Sequence, residues 1–399
     1  MLLAAARRLL PALCLAAVLA PPLAAQELDV AITYLGRQDP PAIPLSLVEP
    51  VLEDEGIKGA QQAIRDNQTT GRFLKHDYRL SERVVAPDGD IVAEFNAALA
   101  AGERMFVADL RIDDLLAIAP LADAAGALVF NGRAQDDELR TDKCFESTFH
   151  IAPSRSMKAD ALAQYLVWKR WSRWFLVLGS HPEDQKLAEA YRRAAQRFGA
   201  KIVDERVYED TGTARRTDSG HVQIQSQMPV FTQDAGDYDV LIAADEADVF
   251  AEYLPYRTWD ARPVAGSVGL MPVNWSRVHE QWGGTQVQRR FEKFAGRPMT
   301  ERDFGSWLAV RTIGEAVTRS KNADPGALHD YMVGEGFEIA AFKGQGLTFR
   351  RWDQQMRQPI LLVTPRMLVS VSPQDQFLHQ RTPLDTLGYD EPESRCRLN

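Results

Sequence analysis

Short, continuous apolar runs alternate along this chain with stretches in which apolar residues return every three or four positions. The pattern is clearest between Met105 and Arg133. Met105 to Leu110 and Ala127 to Phe130 are apolar throughout or nearly so, which suits strands buried on both faces of a parallel sheet. Between them Leu115, Ile118, Ala119, Ala122 and Ala125 form one face of a helix, and Gly126 stands where its C-cap belongs. Polar residues follow each strand: Asp109 and Arg111 after the first, Asn131 and Arg133 after the second. Ligands of open α/β sheets bind outside the carboxyl ends of the strands, so this unit reads as part of a binding site.

The same alternation extends in both directions. Strands are expected at Asp29 to Leu35, Tyr78 to Val85, Trp174 to Leu178, Lys201 to Tyr208, Asp239 to Ala243 and Pro263 to Leu270. Helices are expected around Ile57, Ala60 and Ile64, and from Ile91 to Ala101 behind Asp90 as N-cap. Ser154 can cap another that carries Met157, Ala161, Leu162 and Tyr165, and Leu187 to Phe198 gives one stopped by Gly199. Asp210 to Gly236 is polar, with one poor helix around Val222 to Val230. Val278 to Arg319 is rich in helix, Asp324-Pro325 opens one more, and strand-like runs follow around Leu347 to Arg350, Ile360 to Val363 and Met367 to Val371. Two β/α series in succession imply two lobes, each a parallel sheet with helices on both faces, and a cleft between them.

The first residues do not fit that pattern. Arg7 and Arg8 precede an apolar core, Leu9 to Ala20, and Leu23-Ala24-Ala25 precede polar Gln26. This predicts a secretory signal peptide over residues 1–25, cut after Ala25. The apolar run is too short to span a bilayer. Its loss takes the formal charge from −9 to −11, because two arginines go with it. An acidic protein lacks the basic stripe of a nucleic-acid binder. Two cysteines then remain, Cys144 and Cys396. An even pair in an oxidising compartment predicts a disulfide, worth up to roughly 5 kcal/mol for so long a loop; the alternative is two free thiols.

Several segments together resemble a known family. EGIKGAQQAI, LLAIAPLADAAGALVFN, FHIAPSRSMKADALAQYL, FGSWLAVRTIGEAVTRSKNADPGALHDYM and FKGQGLTFRRWDQQMRQPILLV are similar, in order and spacing, to type I periplasmic substrate-binding proteins of ABC importers, in the leucine-binding group. The resemblance covers the chain from the predicted cleavage site to about residue 372. The start DVAITYLGRQDPP and the cysteine-containing ends further resemble the subgroup associated with pyrroloquinoline-quinone-dependent alcohol catabolism. The resemblance implies an α/β type I periplasmic binding fold of two Rossmann-like lobes joined by a three-strand hinge. Lobe one would comprise residues 26–152 and 268–343, lobe two residues 153–267 and 344–371, with a polar tail from 372 to 399. The crossings would fall near Ala152-Pro153, Ser267-Val268 and Lys343 to Leu347. It also implies a monomer in the periplasm that holds a small molecule by hinge closure and hands it to inner-membrane permease subunits, with no cofactor and no metal.

The sequence departs from that family at the ligand loops. The family's Ser- and Gly-containing turn after the third strand reads Asp109-Leu110-Arg111-Ile112-Asp113-Asp114 here. The next loop reads Asn131-Gly132-Arg133-Ala134-Gln135-Asp136, and the lobe-two positions that usually offer tyrosines read Ser180-His181-Pro182-Glu183 and Asp245-Glu246. Ligand candidates are therefore Arg37, Asp109, Arg111, Asn131, Arg133, Ser180, His181, Asp245, Glu246 and Trp275. Arg37, Arg111 and Arg133 could grip an acidic ligand bidentately; the competing reading has them pair with Asp109, Asp113, Asp136 and Asp137. Glu183, Asp245 and Glu246 could hold a cation or be solvated loop carboxylates, and Trp275 and Tyr34 could stack on a ligand or belong to the core. No nucleophile, metal or phosphate-loop motif supports an enzyme, and the seven histidines are scattered. An exported sensor using the same cleft is the alternative.

Overall fold

Strands that are apolar on both faces need cover on both faces, and the chain supplies it twice. The computed structural model describes residues 27–40, 50–210 and 218–398, so the expected signal peptide lies outside the described residues. The first half runs β1 (Leu28–Arg37), α1 (Ile57–Leu74), β2 (His76–Val85), α2 (Ile91–Ala100), β3 (Met105–Asp109), α3 (Ile112–Ala125), β4 (Leu128–Asn131), α4 (Glu138–Thr141) and β5 (Thr148–His150). Its strands form one parallel sheet in the order β2-β1-β3-β4-β5. Phe106, Ala108 and Val129 pack on Phe95 and Ile118 of α2 and α3. Val30, Val107 and Phe130 face the other way, onto α1 and a later helix.

The second half runs α5 (Arg155–Trp168), β6 (Arg173–Gly179), α6 (Pro182–Phe198), β7 (Lys201–Tyr208), α7 (Asp218–Thr232), β8 (Val240–Ala244) and β9 (Val264–Gly266), with a parallel sheet β7-β6-β8-β9. Trp174, Leu176 and Ile242 pack on α5 and α6, while Phe175, Val177 and Leu241 pack on α7 and the loop beyond β8. Local chemistry sets the helix ends. Asp90 accepts from the N–H groups of Val92 and Ala93, Ser154 from Met157, and Gly126 and Gly199 close α3 and α6 in the left-handed conformation.

The chain then passes through β10 (Met271–Val273), α8 (Gly284–Ala295), α9 (Glu301–Ser320), α10 (Pro325–Val333), β11 (Ile339–Ala340), β12 (Gly346–Phe349), β13 (Met356–Arg357), β14 (Ile360–Thr364) and β15 (Met367–Ser372). Phe304, Trp307 and Ile313 of α9 complete lobe one's core, whereas Ile360 and Leu362 of β14 join lobe two's. No helix among the described residues is long and apolar enough to cross a membrane.

Four expectations are corrected. The run Pro263 to Leu270 is not one strand: Gly266 and Gly269 take positive φ, so β9 stops and the chain turns into β10, which pairs antiparallel with β14. The three-residue strand β5 has no period long enough to read. Leu347, Phe349 and Met356 lie in lobe one's core, so the third passage between lobes runs through Arg357-Gln358-Pro359 rather than Lys343 to Leu347; Trp275 is in the same core, which moves the second passage to Val273-Asn274. The polar tail is not a free tail: Leu384, Leu387 and Cys396 are buried, and Cys396 is joined to Cys144 with Cα atoms 5.7 Å apart.

The three passages are tied to one another. Gln358 Nε2 donates to the Ile151 carbonyl at 2.7 Å, and Gln355 Nε2 to the carbonyls of His150 and Ala152 at 3.1 and 3.3 Å. The buried Lys343 amino group donates to Asn274 Oδ1 at 2.5 Å, Gln358 Oε1 at 2.7 Å and the Pro359 carbonyl at 3.2 Å.

Candidate functional site

At the carboxyl edge of lobe one's sheet, charged side chains from four elements converge. Asp109 ends β3 and is almost fully buried. Its carboxylate accepts from the Tyr34 hydroxyl at 2.6 Å and from Arg302 through Nη2 at 2.8 Å and Nε at 3.2 Å. Arg302 stands in the first turn of α9, aimed by a reciprocal cap between Thr300 and Asp303. Asp303 in turn accepts from the Gly56 N–H at 2.9 Å and pairs with Arg297 at 2.6 Å, fixing α9 against the start of α1.

Asp39, just beyond β1, collects the remaining charges. Its carboxylate takes Arg133 at 2.6 Å, Arg302 at 2.8 Å and Arg111 at 3.2 Å; Glu55 lies 3.3 Å from Arg302. Partial burial opposes ionisation of Asp39, but the Arg133 hydrogen bond and the three positive charges outweigh it and hold the carboxyl below its ordinary 3.8. Burial, then the charge of Asp109, pushes the Tyr34 phenol well above 10, so it remains a donor. Three guanidinium groups and three carboxylates thus face one another at this edge of the sheet, each charge answered by another.

Arg111, Arg133 and Asp109 are therefore brought together, with Tyr34 positioning Asp109 rather than offering its ring face. Arg37 is elsewhere: it pairs bidentately with Asp114 at 2.6 and 2.9 Å and donates to the carbonyls of Ala86, Pro87 and Gly89, stitching the loop after β2 to α3. Asn131 is fully buried and turns the loop after β4, accepting from the N–H groups of Arg133 and Ala134 while donating to the Ala134 carbonyl. Trp275 is core, its ring stacked on Phe304 at 4.6 Å and its Nε1 donating to Gln288.

Lobe two presents a second polar edge at the ends of β6 and β8. His181 Nε2 lies 2.9 Å from Asp210 Oδ2, and the Ser180 hydroxyl accepts from the Asp210 N–H. The carboxylate raises the imidazole pKa above 6.5 despite partial burial. Asp245 is buried and accepts from the N–H groups of Val249, Phe250 and Ala251, turning the chain after β8. Glu246 pairs bidentately with Arg155 at 2.6 and 2.7 Å. No group of three His, Cys, Asp or Glu side chains among the described residues is arranged to hold a metal.

Near the first passage the two edges meet. Asp136, from lobe one's loop after β4, takes Arg155 at 2.9 Å and Lys186 of α6 at 2.7 Å; Lys158 of α5 pairs with Glu301 of α9 at 2.9 Å. A cavity of about 220 Å³ opens there, bounded by Asp136, Glu138, Arg155, Lys186, Glu189 and Tyr389. Sequence reasoning missed Asp39, Arg302, Arg155 and Lys186. For Arg302 the signal was present, since Thr300-x-x-Asp303 before Phe304 marks a helix start and directs the residue between them.

A profile of the periplasmic binding protein family matches residues 92–247. A search of curated proteins finds no match. Among solved structures, the chain is similar to a leucine-, isoleucine-, valine-, threonine- and alanine-binding protein from Brucella ovis in its closed conformation, at 13% identity and a TM-score of 0.69 over 94% of this chain and 100% of that one. It is also similar to a periplasmic ligand-binding protein of a branched-chain amino acid ABC transporter from Burkholderia xenovorans, at 16% identity and 0.67 over 92% and 99%. An ABC transporter substrate-binding protein from Sphaerobacter thermophilus gives 16% and 0.69 over 90% and 100%. The chain has the type I periplasmic binding fold, with a parallel sheet in each of two lobes.

Proposed function

We propose that this chain is the exported substrate-binding component of an ABC importer, which captures a small polar anion between its lobes by hinge closure and delivers it to permease subunits in the inner membrane. The fold and the low-identity neighbours support the transport role; the site supports the ligand class. The observation that carries it is the convergence of Arg111, Arg133 and Arg302 on the single carboxylate of Asp39. A ligand carboxylate offers the same two oxygens, and guanidinium forks hold such groups in a fixed plane. Asp39 in this reading occupies the anion's place until the ligand arrives. The neighbours named for branched-chain amino acids place no constraint here, because the loops that departed from that group in sequence carry two of the three arginines, Arg111 and Arg133.

The resemblance of the DVAITYLGRQDPP start and the cysteine-containing ends supports a finer proposal, a ligand linked to quinone-dependent alcohol oxidation. Carboxylic acids produced by such oxidation, and the tricarboxylate quinone itself, fit an arginine-lined cleft. A thermal-shift screen of alcohols, aldehydes, carboxylates, amino acids and the quinone tests both levels, since a ligand bound only by the native state raises Tm. A carboxylate hit whose shift disappears in Arg133→Ala and in Arg302→Ala supports the site. A hit that survives both substitutions places the ligand elsewhere and overturns the anion reading.

A further inference from the structure

The segment after β15 crosses from one lobe to the other. It begins on lobe two. The Ser372 hydroxyl donates to the Ala161 carbonyl at 2.7 Å, the Gln374 N–H to Gln164 Oε1 at 2.9 Å, and Gln164 Nε2 to the Thr386 hydroxyl at 3.1 Å. Leu387 is part of lobe two's core. The Gly388 N–H donates to the buried Asp160 at 2.8 Å, its carbonyl accepts from Arg193 and Arg197, and Glu393 pairs with Arg193 at 2.9 Å. From the next residue onward the anchors belong to lobe one alone. The Ser394 hydroxyl donates to the Arg140 carbonyl at 2.7 Å, the Arg395 N–H to the Thr141 carbonyl at 2.9 Å, and Cys396 is bonded to Cys144 between α4 and β5.

Glu393, through its side chain, and Ser394 are thus anchored to opposite lobes, and only the short stretch from Tyr389 to Glu393 separates the Gly388 backbone anchor from Ser394. We propose that this segment is a taut strap, a fourth covalent connection beside the three hinge passages, and that it limits how far the cleft opens. The Cys144–Cys396 bond fixes its lobe-one end, and Arg193, Arg197 and Asp160 fix the other. Any rotation that parts the lobes must lengthen the Glu393-to-Ser394 step or break its anchors. Arg350 of lobe one also grips the strap earlier, beside the third passage, donating to Asp385 at 2.9 Å and to the carbonyls of Leu387 and Tyr389 at 2.7 and 2.9 Å, so a polar clamp adds to the covalent restraint at the hinge. This inference rests on the two-lobe, hinge-closing reading, but not on the identity of the ligand.

The test measures the distance between the lobes in ligand-free protein. Spin labels attached through unnatural keto residues at Phe73 on lobe one and Tyr256 on lobe two, both highly exposed, leave the native disulfide untouched. Cys144→Ser/Cys396→Ser should broaden the distance distribution and move it to longer values. A second variant keeps the bridge but inserts Gly-Ser-Gly between Glu393 and Ser394; slack alone should produce the same broadening. Circular dichroism confirms that each variant is folded. Distributions unchanged in both variants overturn the strap. So does broadening in the cysteine variant alone, because the bridge then stabilises the fold without restraining the hinge. A failed ligand screen alters neither outcome.

Discussion

The Tyr34 hydroxyl donates to Asp109 Oδ2 at 2.6 Å, and Arg302 reaches the same oxygen at 2.8 Å from the first turn of α9. One buried carboxylate thereby joins β1, β3 and a helix nearly two hundred residues away. The two donors are not equivalent. Tyr34→Phe removes one hydrogen bond to a charged acceptor, a loss of about 1.5–3 kcal/mol. Arg302→Met strips the buried carboxylate of its nearer cation and leaves only Arg133 at 3.9 Å, a loss of about 3–5 kcal/mol. Urea denaturation of the two variants should rank them in that order; the reverse ranking means that Asp109 does not depend on Arg302.

The arginines divide by what they already hold. Arg37→Gln leaves Asp114 and the carbonyls of Ala86, Pro87 and Gly89 without their donor, so it should lower stability by about 1–3 kcal/mol and leave the affinity for an anionic ligand within a few-fold. Arg133→Gln should do the opposite, weakening an anionic ligand at least tenfold with a smaller change in Tm. Asp39→Asn should tighten the anion, since it removes the internal competitor for the same guanidinium groups. Calorimetric titration of the three variants with the best carboxylate from the screen decides this, and a tighter complex in Arg133→Gln contradicts it.

Gly305 on α9 sets the spacing between that helix and the arginine loop. A Cβ added there would lie 2.3 Å from the Gly132 carbonyl oxygen, a contact with backbone that cannot rotate away. Gly305→Ala should therefore cost about 1–3 kcal/mol by overpacking and displace the loop that carries Arg133. Ligand affinity and stability should fall together. A variant as stable as the parent means that the helix and loop are free to separate.

The β/α alternation was legible because strands buried on both faces and helices with one apolar face leave different periods, as at Phe106 to Ala108 and at Leu115 to Ala122. What escaped were features set by long-range pairing. Arg37 and Arg133 follow strand ends in similar sequence, yet one is engaged by Asp114 and the other faces Asp39; nothing local separates them. Arg302 belongs to a helix far along the chain and reaches the site only because α9 packs on α1 and β3. Trp275 has the composition of a ligand platform, but Phe304 and Gln288 claim its two sides. The strap after β15 reads as a polar tail because its anchors are backbone groups and arginines, which carry no period.

His181 gives a pH signature to lobe two's edge. The hydrogen bond to Asp210 raises its pKa above 6.5, so the folded state binds the proton more tightly than the unfolded chain. This contribution is full below 6.5 and is lost as pH rises through the higher folded value. Asp210→Asn should return the imidazole midpoint, followed by NMR, toward 6.5. His150 is the internal control: burial, then the charge of Arg140, drives its pKa well below 6.5, so its ring should stay neutral through the same titration. A His181 midpoint that ignores the substitution rules out Asp210 as the cause.

Lys343 carries the opposite sign at the hinge. Burial depresses its ammonium well below 10.5, while the same lysine in the unfolded chain stays charged up to that value. Between the two, the unfolded state binds the extra proton, and stability rises with pH by at most about 1.4 kcal/mol per unit. Lys343→Met keeps most of the apolar stem but leaves Asn274 Oδ1, Gln358 Oε1 and the Pro359 carbonyl without their donor. The parent should therefore exceed the variant in unfolding free energy by more at pH 9 than at pH 6. Because these three acceptors belong to two of the passages between the lobes, the variant should also loosen the hinge. A stability difference that stays flat from pH 6 to 9 shows that Lys343 does not change charge there on folding, and that burial does not govern it.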